Sequence, residues 1–319
     1  MKVHVKTPSR LHISMIDLQG SLGRLYGSIG LTIDTPRLVL SATTSDSITV
    51  GGSRTSRAEE YARKMYETYS LEGGINIDVL SDIPQHSGFG SGTQLALAVG
   101  TVVSMLHGLN LSPEEISLTL GRSQRSSIGM HSFKQGGFII DGGHRTPNDG
   151  RLPPLLFRAE IPSDWRFVIG LPEITSTRSG KEENHAFSRL EKPPDSLIAE
   201  ASHIVLLQMM PSILEADISV FGEAMTRLDS IFGGYWEKVQ GGRYSHPAIE
   251  AGVRFLQENG AYGIGQSSWG PAFYGLCKRG ESTTLEASLR EHFSDSGLVG
   301  IVFTSEPNNS GAMISVEGD

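Results

Sequence analysis

The stretch Pro84-Gln85-His86-Ser87-Gly88-Phe89-Gly90-Ser91-Gly92-Thr93-Gln94 constrains the fold more than any other. The alternating segment from Ile75 to Leu80 runs into it and reads as a strand. The apolar run from Leu95 to Val103 leaves it and reads as a buried helix. The closely spaced glycines Gly88, Gly90 and Gly92 let the backbone adopt positive φ and come near a ligand. Loop amides and the positive end of the following helix then converge on one spot, which suits a phosphate. The loop lacks the lysine of a Walker P-loop and does not follow the GxGxxG dinucleotide spacing. An ordinary glycine-rich turn between strand and helix shares these features, so the reading depends on the rest of the chain.

The chain has 319 residues, enough for a large core and two domains. A net charge of −8, with no dense run of lysine or arginine, argues against a nucleic-acid partner. An anionic substrate must therefore be held by a local basic pocket. The single cysteine, Cys277, excludes an internal disulfide and a cysteine-based zinc site, and its apolar surroundings suggest a buried thiol. No apolar run is expected to span a membrane, no signal-peptide core is evident, and a cytoplasmic protein is expected. Neither HExxH nor GxSxG occurs.

Read in order, the chain begins with a strand through Arg10, His12 and Ser14, whose alternation puts these polar side chains, and possibly Asp17, on one side. A flexible polar loop follows from Gly20 to Gly30 and contains Arg24; strands are expected at 31–33, 38–40 and 47–50. Arg57 to Leu71 is an amphipathic helix, and Ser112-Pro113-Glu114-Glu115 is a capping box. Residues 121–137 form a polar, glycine-rich loop carrying Arg122, Arg125, His131 and Lys134, long enough to be functional. The domains are expected at 1–162 and 163–319. In the second, helices at 196–210 and 213–228 precede another at 248–259, then the Gly/Ser loop 261–271 between strands, and an antiparallel sheet covered by helices is expected. His12, His86, His131 and His144 lie beside candidate loops, although a lone histidine is more often a hydrogen-bonded structural residue.

Together these segments resemble the GHMP kinase superfamily. Pro84-xxx-Gly88-Phe89-Gly90-Ser91-Gly92 is similar to its phosphate loop, Thr7-Pro8-Ser9-Arg10-Leu11-His12 to its first motif, and Gly263 to Pro271 to its third. The resemblance implies an α+β, two-domain fold: a ribosomal protein S5 domain 2-like N-terminal domain and a ferredoxin-like C-terminal domain, with the ligand in the cleft. Two departures are visible. The aspartate that superfamily kinases carry in a Ser-Gly-x-Asp segment is missing from Ser127-Ile128-Gly129-Met130-His131, and Gly92 replaces the loop's second serine. One branch has both substitutions, the β-ribofuranosylaminobenzene 5′-phosphate synthases. The chain is similar to that branch at Arg10-Leu11-His12, Asp17 to Arg24, Ser87 to Gln94 and Gly265 to Pro271.

That branch implies condensation of phosphoribosyl pyrophosphate with 4-hydroxybenzoate or 4-aminobenzoate, releasing carbon dioxide and pyrophosphate in tetrahydromethanopterin biosynthesis. It implies no organic cofactor, with Mg2+ travelling with the pyrophosphate, small-molecule partners, neither membrane nor nucleic acid, and room for a homodimer. Catalytic roles fall to His12, Asp17, Arg24 and His131, with a histidine deprotonating a phenol. Substrate binding falls to Arg10, Ser87, Gly88, Gly90, Ser91, Gly92, Thr93, Lys134, Gln266, Ser267 and Ser268. The alternatives are an ATP-dependent small-molecule kinase of the same superfamily and a non-catalytic metabolite-binding protein.

Overall fold

The computed structural model describes residues 1–174 and 191–318; the polar loop expected from Thr175 to Glu183 and the helix expected from Asn184 to Leu190 lie outside the described residues. Strands β1 (Lys2–Asp17) and β2 (Arg24–Ser45) form a long antiparallel hairpin, paired from Lys2 opposite Thr43 to Asp17 opposite Tyr26 with register shifts between Thr7 and Ser9 and between His12 and Ser14. Much of the expected loop at 20–30 is therefore strand. The reversal is confined to a turn in which Gly20 and Gly23 take φ values of 73° and 80°, so pairing resumes at once. The short strands expected at 31–33 and 38–40 also merge into β2, whereas the one expected at 47–50 is a separate strand, displaced to Thr49–Gly52.

After β3 (Thr49–Gly52), helix α1 (Thr55–Tyr69) leads to β4 (Gly74–Ser81), which pairs antiparallel with β2 and parallel with β3. Helix α2 (Ser91–Leu106) follows the glycine loop and is buried along nearly its whole length, as its all-round apolar sequence requires. Helix α3 (Pro113–Thr119) starts at the Ser112–Glu115 capping box. Residues expected as a polar loop instead contain α4 (Ile128–Gln135). Its Ile128, Met130 and Phe133 are buried, and that apolar face outweighs the surrounding polarity. Strands β5 (Phe138–Asp141), β6 (His144–Arg145) and β7 (Leu155–Ala159) complete this side of the sheet.

The next strand, β8 (Trp165–Pro172), opens a second sheet. It is followed by the helical run α5 (Asp195–Leu214), α6 (Ile218–Gln240), α7 (Pro247–Glu258), β9 (Gly263–Gln266), β10 (Phe273–Lys278), α8 (Arg279–Asp295) and β11 (Gly300–Ser305). The sheet order β11-β8-β10-β9, antiparallel throughout, is ferredoxin-like. The last strand, β12 (Met313–Glu317), returns to the first sheet beside β1. Phe221 of α6 stacks edgewise on Phe138 of β5 at 5.3 Å and tilts against Trp165 of β8 at 5.0 Å, so one apolar core joins the two sheets.

Two expectations about helices are corrected. By length and composition α5 could cross a membrane; its Ala201, Ile204, Val205, Met209 and Ile213 are nevertheless buried in the core. The helix expected at 213–228 begins at Ile218 and continues to Gln240, well past its expected end.

Candidate active site

The two glycine-rich loops and the first motif on β1 meet at one place. Ser267 Oγ donates to the Gly88 carbonyl at 2.7 Å and accepts the His12 amide at 3.0 Å. The Ala272 amide donates to the Ser87 carbonyl at 3.1 Å, and the Ser268 amide to the His12 carbonyl at 3.1 Å. Gly88 sits at φ 90°, and a β-carbon there would run into the Ser267 backbone. Only glycine allows these two loops to touch.

The phosphate-type loop is then flanked by two guanidinium groups. Arg10 donates from Nη1 to the Gly88 carbonyl and lies so close to Gly90 that a β-carbon there would be 3.1 Å from its Cγ. Arg122 lies over Gly92, where a β-carbon would be 3.2 Å from Nη2, and donates to Thr93 Oγ1 at 3.3 Å. Its buried Nε has no hydrogen-bond partner. Gly90 caps α2 at φ 79°, with no side chain satisfying the first amides of the helix. Ser91 opens that helix, while Ser87 Oγ is spent on the Pro84 carbonyl at 2.6 Å. Amides, a helix start and two arginines thus surround one loop, a geometry suited to a polyanion. Gly92, the departure from the kinase pattern, is what leaves room for Arg122.

Beside the loop a cleft opens between β1 and α6. Its walls are His12 to Met15 on β1, Asp229, Phe232, Gly233 and Trp236 on α6, Arg243 and Tyr244 beyond it, and Gln266, Ser268 and Trp269 of the third motif. The four α6 positions follow an i, i+3, i+4, i+7 stripe. Trp236 and Trp269 meet edge to face at 4.7 Å. Asp229 is buried and accepts the Tyr244 hydroxyl at 2.6 Å and the Gln266 amide at 2.9 Å. Burial raises its carboxyl to about 6, against the lowering pull of those hydrogen bonds and of Arg243. Gln266 uses its side-chain carbonyl on Ser245 at 3.1 Å and its amide on the Ser268 carbonyl at 2.9 Å. His12 Nε2 is buried and unpartnered, and burial, with Arg10 nearby, lowers this imidazole to about 3. A ring held that low is uncharged near neutrality and a weak base.

Other expected site residues lie outside this cleft. Asp17 Oδ1 accepts the Gln19 and Gly20 amides at 2.7 and 2.9 Å and so shapes the β1–β2 turn. Arg24 donates to the carbonyls of Gly142 and Gly143 at 2.6 and 2.7 Å. His131 is buried on α4 with both ring nitrogens unpartnered, and burial lowers it to about 4. Lys134 is exposed, in a 2.6 Å ion pair with Glu114. The nearest acid after the missing kinase aspartate is Asp141. It is buried and saturated by the Ser28, Ser127 and Gly143 amides and the Ser127 hydroxyl, which makes it a structural knot. Among the described residues no three His, Cys, Asp or Glu side chains converge as a metal site. Cys277 is buried and its thiol is pushed up to about 12, as expected of a structural cysteine.

Sequence reasoning missed Asp229, Phe232, Trp236, Tyr244 and Trp269 as site residues, and placed Arg122 only in a basic loop. The α6 stripe was the available signal, obscured by the Gly233-Gly234 pair, which reads as a helix end.

Family models describe both halves of the chain: GHMP kinases N terminal domain over residues 56–137 and GHMP kinases C terminal over 209–295. A β-ribofuranosylphenol 5′-phosphate synthase of Methanothermobacter thermautotrophicus is 35% identical over 85% of this chain and 88% of its own. A protein of the same name from Archaeoglobus fulgidus is 32% identical over 98% and 100%. Among solved structures, the galactose complex of Lactococcus lactis galactokinase shares the fold at a TM-score of 0.72 with 12% identity, covering 98% of this chain and 95% of that one.

Proposed function

The chain belongs to the β-ribofuranosylphenol 5′-phosphate synthase family within the GHMP kinases, and from that membership we propose that it is a cytoplasmic enzyme condensing phosphoribosyl pyrophosphate with 4-hydroxybenzoate. The relatives' name contains ribofuranosylphenol, which favours the hydroxy acid over 4-aminobenzoate as acceptor. The observation that carries the reading to this chain is the arginine-flanked loop, which exchanges kinase chemistry for anion stabilisation. Room for Arg122 over Gly92, and a segment from the end of α3 to the end of β5 whose one acid is the saturated Asp141, both fit a leaving pyrophosphate better than a phosphoryl transfer that takes its base from that segment.

In this reading the amides of Gly88 to Gly92, the start of α2, Arg10 and Arg122 hold the pyrophosphate. They do most for it as the bond to the anomeric carbon breaks and charge collects on the leaving oxygen. The ring carbon bearing the carboxylate supplies the electron pair for the new bond to that carbon. The pair left by departing carbon dioxide then restores aromaticity, so the protons balance without an organic cofactor. Magnesium would travel with the pyrophosphate as its counter-cation and would offset charge on the leaving group beside Arg10 and Arg122.

The test is incubation with phosphoribosyl pyrophosphate and 4-hydroxybenzoate, measuring carbon dioxide and pyrophosphate. Formation of both supports the synthase. ADP formed from ATP and a small alcohol, without either product, would replace it with a kinase.

A further inference from the structure

We propose that the cleft between β1 and α6 is the binding site for the aromatic acid, and that Asp229 receives the hydrogen of its para substituent. The inference rests on the synthase reading for the reaction but on the cleft's own chemistry for the site. The lining brings together the aromatic side chains of Phe232, Trp236, Trp269 and Tyr244, suited to a flat ring, with the cationic Arg243, suited to an acid. Among these groups the cleft holds one buried carboxylate, Asp229. The carboxylate is held by construction: Tyr244 and the Gln266 amide fix its two oxygens, and a β-carbon on Gly265 would lie 2.8 Å from Oδ1.

Orientation follows from connectivity. Ser267 and His12 tie the cleft to Gly88 at one end, so the reacting ring carbon must face that end, where pyrophosphate leaves. The para substituent then points across the ring toward α6, where Asp229 is the cleft's acidic group. When the ring carbon attacks, positive charge develops on the para oxygen and its proton becomes strongly acidic. Asp229 accepts that proton as the carbon–carbon bond forms and the pyrophosphate bond breaks. It returns the proton to oxygen once carbon dioxide departs with the carboxyl carbon and leaves its bonding pair in the ring. Atoms and charges close with no further reactant. His12, uncharged beside the loop, is unsuited to this task.

The experiment is 4-hydroxybenzoate titration of the full chain by tryptophan fluorescence, alongside turnover with 4-hydroxybenzoate and with 4-methoxybenzoate, which lacks the hydrogen. The wild type is expected to show quenching and to favour the hydroxy acid by about 10²-fold in kcat/KM. In Asp229→Asn, kcat should fall by about 10²-fold, with the preference between the two acids collapsing toward parity while quenching persists. Trp236→Ala, which leaves Asp229 in place, should weaken quenching-detected binding by about tenfold. An Asp229→Asn variant that keeps the wild-type preference, or a Trp236→Ala variant that binds as the wild type does, overturns the proposal. A wild type that binds the acid but forms neither product overturns the synthase reading instead and leaves the site standing.

Discussion

At the scale of single residues, the decisive exchange is Gly92 against Arg122. Restoring the serine of the kinase pattern, Gly92→Ser, should displace a guanidinium that already lies 3.2 Å from the position of a β-carbon. The backbone there is not left-handed, so folding should be little affected. The expected outcome is an increase of about tenfold in KM for phosphoribosyl pyrophosphate with an unchanged melting temperature. Arg122→Ala should go further, lowering kcat by about 10²-fold. Initial rates across a substrate series check both, and unaltered kinetics in Arg122→Ala would remove the residue from the pyrophosphate site.

At the scale of elements, the site is a junction of two loops and strand β1, and their contacts are specific enough to test. Gly88→Ala combines a β-carbon at φ 90° with collision against the Ser267 backbone. It should cost about 2–3 kcal/mol of stability, read as a lower urea midpoint, and should abolish turnover. The strand, loop and helix around Gly88 were legible in the sequence because alternation, glycine spacing and an apolar run signal them locally. The capping box at Ser112 was legible for the same reason. Helix α4 was not, since its burial depends on packing against elements far away in the chain. Nor was the cleft-lining face of α6: Gly233 and Gly234 interrupt its composition, yet the helix runs through them to Gln240. Asp17 and Arg24 looked functional because a polar hairpin tip and a binding loop use the same residue types. In the structure Asp17 accepts backbone amides of the β1–β2 turn and Arg24 donates to the Gly142 and Gly143 carbonyls.

For the whole molecule, burial of two histidines makes stability depend on acidity. An unfolded chain protonates histidine near 6.5, whereas the folded chain holds His12 down to about 3 and His131 down to about 4. The unfolded state therefore gains protons first as pH falls, and their contribution to stability is full above about 6.5 and lost progressively toward those values. Asp229 works the other way, since its raised carboxyl takes a proton in the folded chain first, between about 6 and 3.8. Between pH 7 and pH 5 the two histidines remove about 2 kcal/mol each and Asp229 returns about 1 kcal/mol. His131→Gln should shrink the pH 7 to pH 5 loss by about 2 kcal/mol in urea titrations, and an unchanged loss would contradict the assignment. The account as a whole rests on carbon–carbon bond formation driven by a leaving pyrophosphate and completed by decarboxylation. The most direct measurement is the ratio of labelled carbon dioxide from carboxyl-labelled 4-hydroxybenzoate to pyrophosphate released, in the presence of phosphoribosyl pyrophosphate and without ATP. The account predicts equal amounts of the two. Pyrophosphate released without carbon dioxide, or turnover that requires ATP, would contradict it.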